Sequence, residues 1–358
     1  MKCKVILYAP NSYLGGGKKI LESLVNNWPE GVPLQGYFDT RAADFLEFNN
    51  DSKITWVNPT IESRLKAEIS LSKTVSNGDV VLFLNSLPPL FNCKGRTVVF
   101  LQNRNLIEKI SLRGFNFKQA LRITVERILS YLFRFRVDEY IVQTDSFKRI
   151  LEEWVKPIKG TKNQKITVFP FMDLDELLDV LVIESPPIQY DFIYVADSLS
   201  HKNHLALLDA WTILADLGHY PSLAITLPSS EVNLLKKVSR LQKKGLKIVN
   251  LGWLPQSEVL LKYKSCRALI FPSLRESFGL PLLEASKLNI PILASELDYV
   301  YDVCEPEQTF DPASPHSIAR AVTRFLNIKL SKRKVQDPED FVRYIFHSTI
   351  DGGNDDRD

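Results

Sequence analysis

The sequence is poor in cysteine, and its cysteines lack the spacing of a disulfide framework or a metal site. They are only four, and they are scattered along the chain: Cys3, Cys93, Cys266 and Cys304. Structural disulfides and zinc sites in small frameworks show closer, more regular patterns. We therefore expect reduced, mostly buried thiols, as in cytoplasmic proteins.

Long apolar runs and an excess of one charge are also missing. No stretch approaches the roughly 20 apolar residues that cross a bilayer, and no signal-peptide pattern precedes the first strand pattern. A net charge of only +3 gives no general affinity for nucleic acid. There is no solenoid-type repeat and no long low-complexity segment. We expect a cytoplasmic globular protein.

Strand-like and helical patterns alternate along the chain, which predicts parallel sheets wrapped by helices. In the first half we predict helices over 18–27 and 147–155, and strands over 4–9, 80–84, 97–101, 139–143 and 166–171. In the second half we predict helices over 205–217, 231–243 and 258–263, and strands over 192–196, 222–227, 246–251, 268–271 and 291–294.

These patterns divide 358 residues into two α/β domains, a size at which a single core is unusual. We predict an N-terminal domain over 1–172, a linker over 173–187 and a C-terminal domain over 188–335. A last amphipathic helix is predicted within 338–350. The acidic, glycine-containing tail, 351–358, is expected to be disordered.

Two glutamates eight positions apart, Glu276 and Glu284, flank a predicted strand-to-helix turn. Pro281 suits the first turn of that helix, and we expect Glu284 to lie in the same turn. Free backbone N–H groups at a helix N-terminus bind anions, while carboxylates accept hydrogen bonds from hydroxyl groups. Phosphate and polyol recognition together describe a sugar nucleotide.

This stretch resembles the family-4 glycosyltransferases, whose signature is Glu-x-Phe-Gly-x-x-x-x-Glu. Glu276, Phe278, Gly279 and Glu284 match it position by position. The preceding Phe-Pro-Ser, 271–273, and the following strand pattern, 291–295, also match. The resemblance is specific over roughly the second half of the chain. It implies the GT-B architecture: two Rossmann-like parallel-sheet domains facing each other across a cleft, with the last helix crossing back to the first domain.

The resemblance also implies roles for the signature residues. Glu276 would hold hydroxyl groups of the donor sugar, and Glu284 would hold those of the ribose. The backbone N–H groups that assist Glu276 would come from Ser277, Phe278, Gly279 and Leu280. No metal or other cofactor is implied; the nucleotide sugar is a co-substrate.

Lys202 follows the first strand of the second domain and matches the family's phosphate-binding lysine, so it would neutralise the departing diphosphate. The family usually carries an arginine about five residues earlier, where this chain has Asp197. Arg275 is the nearest replacement in sequence, although a plain surface role remains open. His201 and His204 have no cysteine or carboxylate partner nearby, so we expect helix-cap or surface histidines rather than metal ligands.

Three loops are further candidates, each with a structural alternative. Gly252 and Trp253 lie where the family holds the nucleobase, but Trp253 could equally be core packing. Gly15, Gly16 and Gly17 follow the first strand, either as a cleft-lining loop or as a flexible turn. Gln102 and Asn103 follow another strand, where many family members have a histidine near the donor sugar.

The segment 104–136 holds eight Lys or Arg, two Glu and many apolar residues. Basic, aromatic-rich helices of this kind bind anionic membrane surfaces. We expect such contact through side chains including Lys118, Arg122 and Arg127. The alternative is a core helix whose polar face is basic.

We predict a metal-independent, retaining glycosyltransferase that uses a nucleotide-sugar donor and a glycan or glycolipid acceptor. Its setting would be bacterial surface-polysaccharide or O-antigen assembly at the inner face of the membrane. A catalytically silent sugar-nucleotide-binding or scaffold subunit is the alternative, because the usual arginine and histidine are missing. An enzyme that hydrolyses or epimerises sugar nucleotides is a third possibility.

Overall fold

Two fully parallel β-sheets, each covered by helices, make up the computed structural model. It describes residues 4–48, 52–84, 86–108, 117–156, 163–171, 175–329 and 338. The predicted last helix beyond residue 338 and the tail lie outside the described residues, so the return of that helix to the first domain stays a prediction.

The first sheet has seven strands in the order β3-β2-β1-β4-β5-β6-β7. Their bounds are Val5–Ala9 (β1), Gln35–Asp39 (β2), Lys53–Val57 (β3), Val80–Phe83 (β4), Arg96–Phe100 (β5), Glu139–Val142 (β6) and Lys165–Val168 (β7). The helices around it are Gly15–Asn26 (α1), Ile61–Thr74 (α2), Phe117–Phe133 (α3) and Asp145–Val155 (α4).

The second sheet has six strands in the order β10-β9-β8-β11-β12-β13. Their bounds are Tyr190–Tyr194 (β8), Leu223–Ile225 (β9), Ile248–Asn250 (β10), Cys266–Phe271 (β11), Ile292–Ser295 (β12) and Gln308–Phe310 (β13). The helices of this half are Asp175–Leu181 (α5), His204–Asp216 (α6), Val232–Lys243 (α7), Gln256–Lys264 (α8), Leu280–Lys287 (α9), Asp298–Tyr301 (α10) and Pro315–Phe325 (α11).

Burial on both faces explains why the strands read as continuous apolar runs. In β1, Ile6 and Tyr8 pack into one core cluster while Leu7 and Ala9 pack into another on the opposite face. Successive side chains of a strand point to opposite faces, so both faces of this sheet need helices. The second sheet is buried in one larger cluster that includes Trp211 of α6.

The predicted elements are confirmed with small shifts of their ends, but the predicted linker is partly wrong. Within 173–187 the chain forms α5, whose Leu177 and Val180 are buried in the core of the second half. The sequence of that stretch mixes polar and apolar residues, so its pattern does not show which side chains are buried. The contact of α5 with α8 in the folded chain shows this. Strands β2 and β3 were not predicted, since Gly36 and the exposed edge residues weaken their apolar signal.

The strand order positions the functional site. In the first sheet the order reverses between β1 and β4, and in the second between β8 and β11. Loops leaving the carboxyl ends of such neighbouring strands turn to opposite faces and open a crevice, where ligands bind in open α/β sheets. The glycines after β1 and the Glu276 loop after β11 therefore lie at two such crevices.

One buried carboxylate in the first domain makes its stability depend on pH. Glu68 of α2 is buried, and its Oε1 accepts a hydrogen bond from the backbone N–H of Leu90. Burial raises the pKa of Glu68 to about 7 from its ordinary value of 4.5, although the hydrogen bonds of the Leu90 and Phe91 backbone and the charge of Arg136 oppose the shift. The unfolded chain therefore loses this proton at lower pH than the folded one, and the free energy of unfolding falls as pH rises from about 4.5 to about 7.

We expect Glu68→Gln to raise the free energy of unfolding at pH 8 by on the order of 2 kcal/mol, because a neutral amide avoids burial of the charge. The gain should shrink at pH 5, where the folded protein keeps the proton. Urea unfolding at both pH values measures it, with Glu62→Gln on the exposed face of the same helix as control. An equal gain at both pH values would contradict the assignment.

Candidate functional site

The loops of the two crevices enclose a shared cleft. A cavity of about 670 Å³ is lined by residues of both halves, among them Gly16, Gly17, Gln102, Asn103, Arg104, His201, Arg275, Glu276 and Ser277. Hydrogen bonds cross between the halves at this point. Arg104 Nη1 donates to the carbonyl of Glu276 at 2.9 Å, and the Ser277 hydroxyl donates to the carbonyl of Gln102.

Glu276, which lines this cavity, forms an ion pair with Lys202. Lys202 Nζ lies 2.8 Å from Oε1 and 3.0 Å from Oε2 of Glu276. The hydroxyl of Ser273 donates to Oε1 at 2.6 Å. Both side chains of the ion pair are largely shielded from solvent, with 15% of Lys202 and 11% of Glu276 exposed. The two predicted catalytic residues are therefore in direct contact.

Buried hydroxyl groups hold the backbone around this ion pair. The Tyr299 hydroxyl and the Ser295 hydroxyl donate to the carbonyl of Ser273 at 2.7 and 2.9 Å. The Tyr194 hydroxyl donates to the carbonyl of Lys202 at 2.6 Å. Burial, followed by the charge of Glu276, raises the pKa of both tyrosines well above the ordinary value, so they remain donors. The ion pair consequently sits on a fixed base.

Helix α9 begins immediately after the Glu276 loop. Gly279 caps it with φ of 84°, a left-handed conformation that suits glycine, and Pro281 lies in the first turn as predicted. The prediction that Glu284 shares that turn is wrong. The helix starts at Leu280, so Glu284 is its fifth residue and faces inward from the second turn.

Glu284 lies in a second cavity of about 510 Å³, beside Trp253, Gln256 and Leu280. It is 4% exposed. Gln256 Nε2 donates to its Oε1 at 2.6 Å and the Tyr263 hydroxyl to its Oε2 at 3.2 Å. Burial, then the charge of Glu284, raises the pKa of Tyr263 well above its ordinary value. The two signature glutamates thus face different cavities at either end of one loop-and-helix segment.

Trp253 does not belong to the core, so that alternative is wrong. Its side chain is 77% exposed and lines the second cavity near Glu284. Gly252 precedes it with φ of 75°, which turns the chain after β10. An exposed indole beside a cavity offers a flat apolar face to a ring-shaped ligand.

The three glycines after β1 form the first turn of α1 rather than a loop ahead of it, and Gly15 has φ of 59°. A Cβ added at Gly17 would lie 3.8 Å from the Gln102 Oε1, an ordinary van der Waals distance, so α1 and the β5 loop are neighbours here. Gln102 is anchored through its N–H to the hydroxyl of Ser86 at 2.9 Å. Asn103 uses its Oδ1 to accept from the N–H of Asn105 at 3.1 Å. Both amides line the larger cavity.

Asp197 stands where the family usually has an arginine, but other arginines supply positive charge to the larger cavity. The Asp197 carboxylate accepts from the N–H of Leu199 at 3.0 Å and shapes the β8 loop. Arg275 lines the larger cavity, where burial lowers its pKa against the attraction of Glu108, and Arg104 lowers it further. Arg104, which the sequence reasoning did not single out, joins it on the opposite wall.

The two histidines differ from the prediction. His204 is buried, its Nε2 lies 2.7 Å from the carbonyl of Asp197, and its ring lies 4.8 Å from that of Tyr194. His201 lines the larger cavity, and its buried Nδ1 has no hydrogen-bond partner among the described residues. Burial lowers the pKa of both, which keeps them neutral at pH 7.

Helix α3 turns an apolar stripe outward, so the core-helix alternative is wrong. The exposed residues of the stripe are Phe117, Leu121, Val125, Ile128 and Leu132. Lys118 and Arg122 are exposed as well. Arg127 is not on this surface: its Nε donates to the carbonyl of Asn105 at 2.7 Å.

Within the described part of the chain, no three His, Cys, Asp or Glu side chains are arranged to hold a metal ion. No described helix combines the length and apolar character of a membrane span.

Residues 182–342 match the family model described as Glycosyl transferases group 1. The serotype-specific mannosyltransferase WbdA of Escherichia coli is 30% identical over 142 residues, which cover 38% of this chain and 17% of that protein. The aligned region thus spans about a sixth of the length of this curated relative.

Two solved structures share the fold. Sucrose-phosphate synthase from Thermosynechococcus elongatus gives a TM-score of 0.65 at 16% identity, with 90% of each chain covered. Anabaena Alr3699/HepE in complex with UDP and glucose gives 0.61 at 14% identity, again with 90% of each chain covered. Together with the two parallel sheets, these matches confirm the predicted GT-B fold.

Proposed function

We propose that the protein is a group 1 glycosyltransferase with a specific reaction; the match of residues 182–342 to that family model and the family-4 resemblance support this. The protein transfers a hexose from a nucleoside-diphosphate sugar to a hydroxyl group of a glycan or lipid-linked glycan. The transfer retains the configuration of the sugar and needs no metal ion. Surface-polysaccharide assembly is the setting we propose, because WbdA is a serotype-specific mannosyltransferase.

The Lys202–Glu276 ion pair carries this proposal. Its two charges suit opposite ends of one bond: the ammonium suits a departing diphosphate, and the carboxylate accepts hydrogen bonds from sugar hydroxyls. Arg275 lies on the same cavity wall and adds a second cation for the phosphates. These fixed cations supply the charge that a metal ion supplies in other transferases, so we expect chelators to leave activity unchanged.

The second cavity accommodates the nucleoside in this proposal. Glu284 accepts the ribose hydroxyls and Trp253 stacks against the base, while Gly252 turns the chain between them. The N–H groups from Ser277 to Leu280 join the two ends of the donor. The bound UDP of HepE belongs to a structure that shares only the fold, so the base remains to be identified by a thermal-shift screen of UDP, GDP, ADP and CDP sugars.

Retention needs no protein base in this proposal. The described residues around Glu276 include Gln102 and Asn103 where a histidine is common, and burial lowers the pKa of His201, which makes it a weaker proton acceptor. The departing phosphate oxygen takes the proton of the acceptor hydroxyl on the same face, and Lys202 stabilises the charge left behind. Positioning and electrostatics then supply the rate enhancement.

We expect the two glutamates to separate in their effects. Glu284→Gln should weaken the binding of free nucleoside diphosphate by about 10- to 150-fold, because hydrogen bonds to a charged group contribute about 1.5–3 kcal/mol. Glu276→Gln should bind free nucleotide no more weakly than the unmodified protein, since Lys202 loses its competing partner, while kcat falls by a similar factor. Calorimetric titration and a donor-turnover assay measure both.

Glu305→Gln serves as the control, because Glu305 is exposed and lines neither cavity. Equal loss of nucleotide affinity in both site variants would overturn the assignment of roles. Nucleotide binding without transfer to any acceptor would identify the silent-subunit alternative, and nucleotide release without an acceptor would identify a hydrolase.

We also propose that α3 docks on an anionic membrane. Its outward stripe is apolar, and Lys118 and Arg122 lie beside that stripe, which is the charge pattern that negatively charged headgroups attract. A lipid-linked acceptor would then meet the cleft from the membrane side, because Gln119, Arg122, Ile123 and Glu126 of the same helix line the larger cavity.

We expect the double change Leu121→Gln and Ile128→Gln to weaken binding to phosphatidylglycerol vesicles by about tenfold or more, through loss of buried apolar area. The matched control is Leu205→Gln with Val232→Gln, two comparably exposed residues of the second half. Vesicle co-sedimentation at physiological salt measures both proteins. Equal binding by the two double variants would count against docking through α3.

A further inference from the structure

Besides Arg104, three arginines of the first domain line the larger cavity. Arg41 follows β2, Arg64 belongs to α2 and Arg122 belongs to α3, so three separate elements bring them together. None of them belongs to the signature residues. Guanidinium groups gathered on one cavity wall favour the binding of an anionic ligand.

Two carboxylates lie among these arginines. Arg41 binds the buried Asp39 through two hydrogen bonds, Nε to Oδ1 at 2.8 Å and Nη2 to Oδ2 at 2.7 Å. Arg64 Nη2 lies 3.9 Å from Asp39 Oδ2. Arg122 Nε lies 3.6 Å from Glu126 Oε1. Three guanidinium groups therefore face two carboxylates, leaving one positive charge in excess.

Neutralising buried carboxylates does not account for the whole cluster. Arg41 by itself already pairs with both carboxylate oxygens of Asp39. Burial acts to raise the pKa of Asp39, but the hydrogen bonds of Arg41 outweigh burial and hold that pKa below its ordinary value. Arg64 is a second cation at the same oxygen, and its buried Nε has no hydrogen-bond partner among the described residues. Burial raises the pKa of Glu126, although the charges of Arg122 and Arg64 oppose the shift.

The arginines are also held in place while remaining open to the cavity. The Arg41 guanidinium lies 3.4 Å from the centroid of the Tyr13 ring, and Tyr13 lines the same cavity. The Arg41 and Arg64 side chains are 39% and 34% exposed. Arg122 is more open still. Such guanidinium groups bind planar or tetrahedral oxyanions through paired N–H donors.

We propose that Arg41, Arg64 and Arg122 bind an anionic group of the acceptor, either a phosphate or a carboxylate. This rests on the proposed function, since it assigns the cavity wall facing Glu276 to the acceptor. The phosphate would come from a phosphorylated sugar or a lipid-linked diphosphate, and the carboxylate from a uronic acid. Neutral sugars alone would leave this wall without a partner.

The test measures acceptor binding after the donor place has been filled with saturating nucleoside diphosphate, which occupies Arg275 and Lys202. Three probes are titrated by calorimetry: methyl mannoside 6-phosphate, methyl glucuronide and methyl mannoside. We expect one charged probe to bind about tenfold or more tightly than the neutral one, and which of them does so identifies phosphate or carboxylate. Arg64→Gln and Arg122→Gln should each weaken that probe by about tenfold.

Arg240→Gln is the matched control, because Arg240 is exposed on α7 and lies outside the cavity. Equal affinity for charged and neutral probes, or unchanged affinity in both cluster variants, would overturn the proposal while the donor site stands. If no nucleotide binds, the proposed function fails by itself. Inorganic phosphate is then titrated against the same variants, and a loss confined to Arg64→Gln and Arg122→Gln still supports the anion site.

Discussion

The ion pair between Lys202 and Glu276 is the constraint around which the cleft is organised. The two residues come from the loops after β8 and β11, the neighbouring strands between which the second sheet reverses its order. A pair shielded this far from water is stable only if its remaining hydrogen-bonding capacity is met. Ser273 meets part of it, and Tyr194, Ser295 and Tyr299 fix the backbone behind it.

Around that pair, the cleft is divided by α1 into two compartments with different surroundings. The compartment of Glu276 is rich in arginine and in amide side chains, whereas that of Glu284 has an exposed indole and apolar walls. Gly16 and Gly17 of α1 line the first compartment, whereas Lys18 and Lys19 of the same helix line the second. The signature spacing therefore places its two carboxylates in cavities whose linings differ chemically.

The amino-acid sequence predicted the architecture well and the site in part. Alternating apolar runs, as in β1 and β11, carried the fold class because strands buried on both faces leave an unbroken signal. The signature located Glu276 and Glu284, because their spacing is local, and Lys202 was found by a separate match to the family's phosphate-binding lysine. Glu284 was expected in the first turn of α9, but the helix begins at Leu280 after the Gly279 cap, so Glu284 falls in the second turn. Element ends depend on such details of capping geometry.

Contacts between distant parts of the chain were beyond sequence reasoning. Arg104 reaches Glu276 across 172 positions, and Arg41 meets Arg64 only because β2 and α2 adjoin the same buried Asp39. A charged residue in a loop has the same local pattern whether it meets solvent or a cavity. The exposed stripe of α3 shows the reverse case: its period predicted a helix, but only the fold shows that the apolar side faces outward.

Lys19 links the first half of the chain to the second compartment. From α1 it contacts Gln256 and lies 3.9 Å from Oε1 of Glu284, so the first half of the chain touches the carboxylate proposed for ribose. If ribose binds Glu284 as proposed, an arriving nucleotide would compete with Lys19 for this carboxylate. Donor binding would then weaken one of the contacts that join the two halves of the chain.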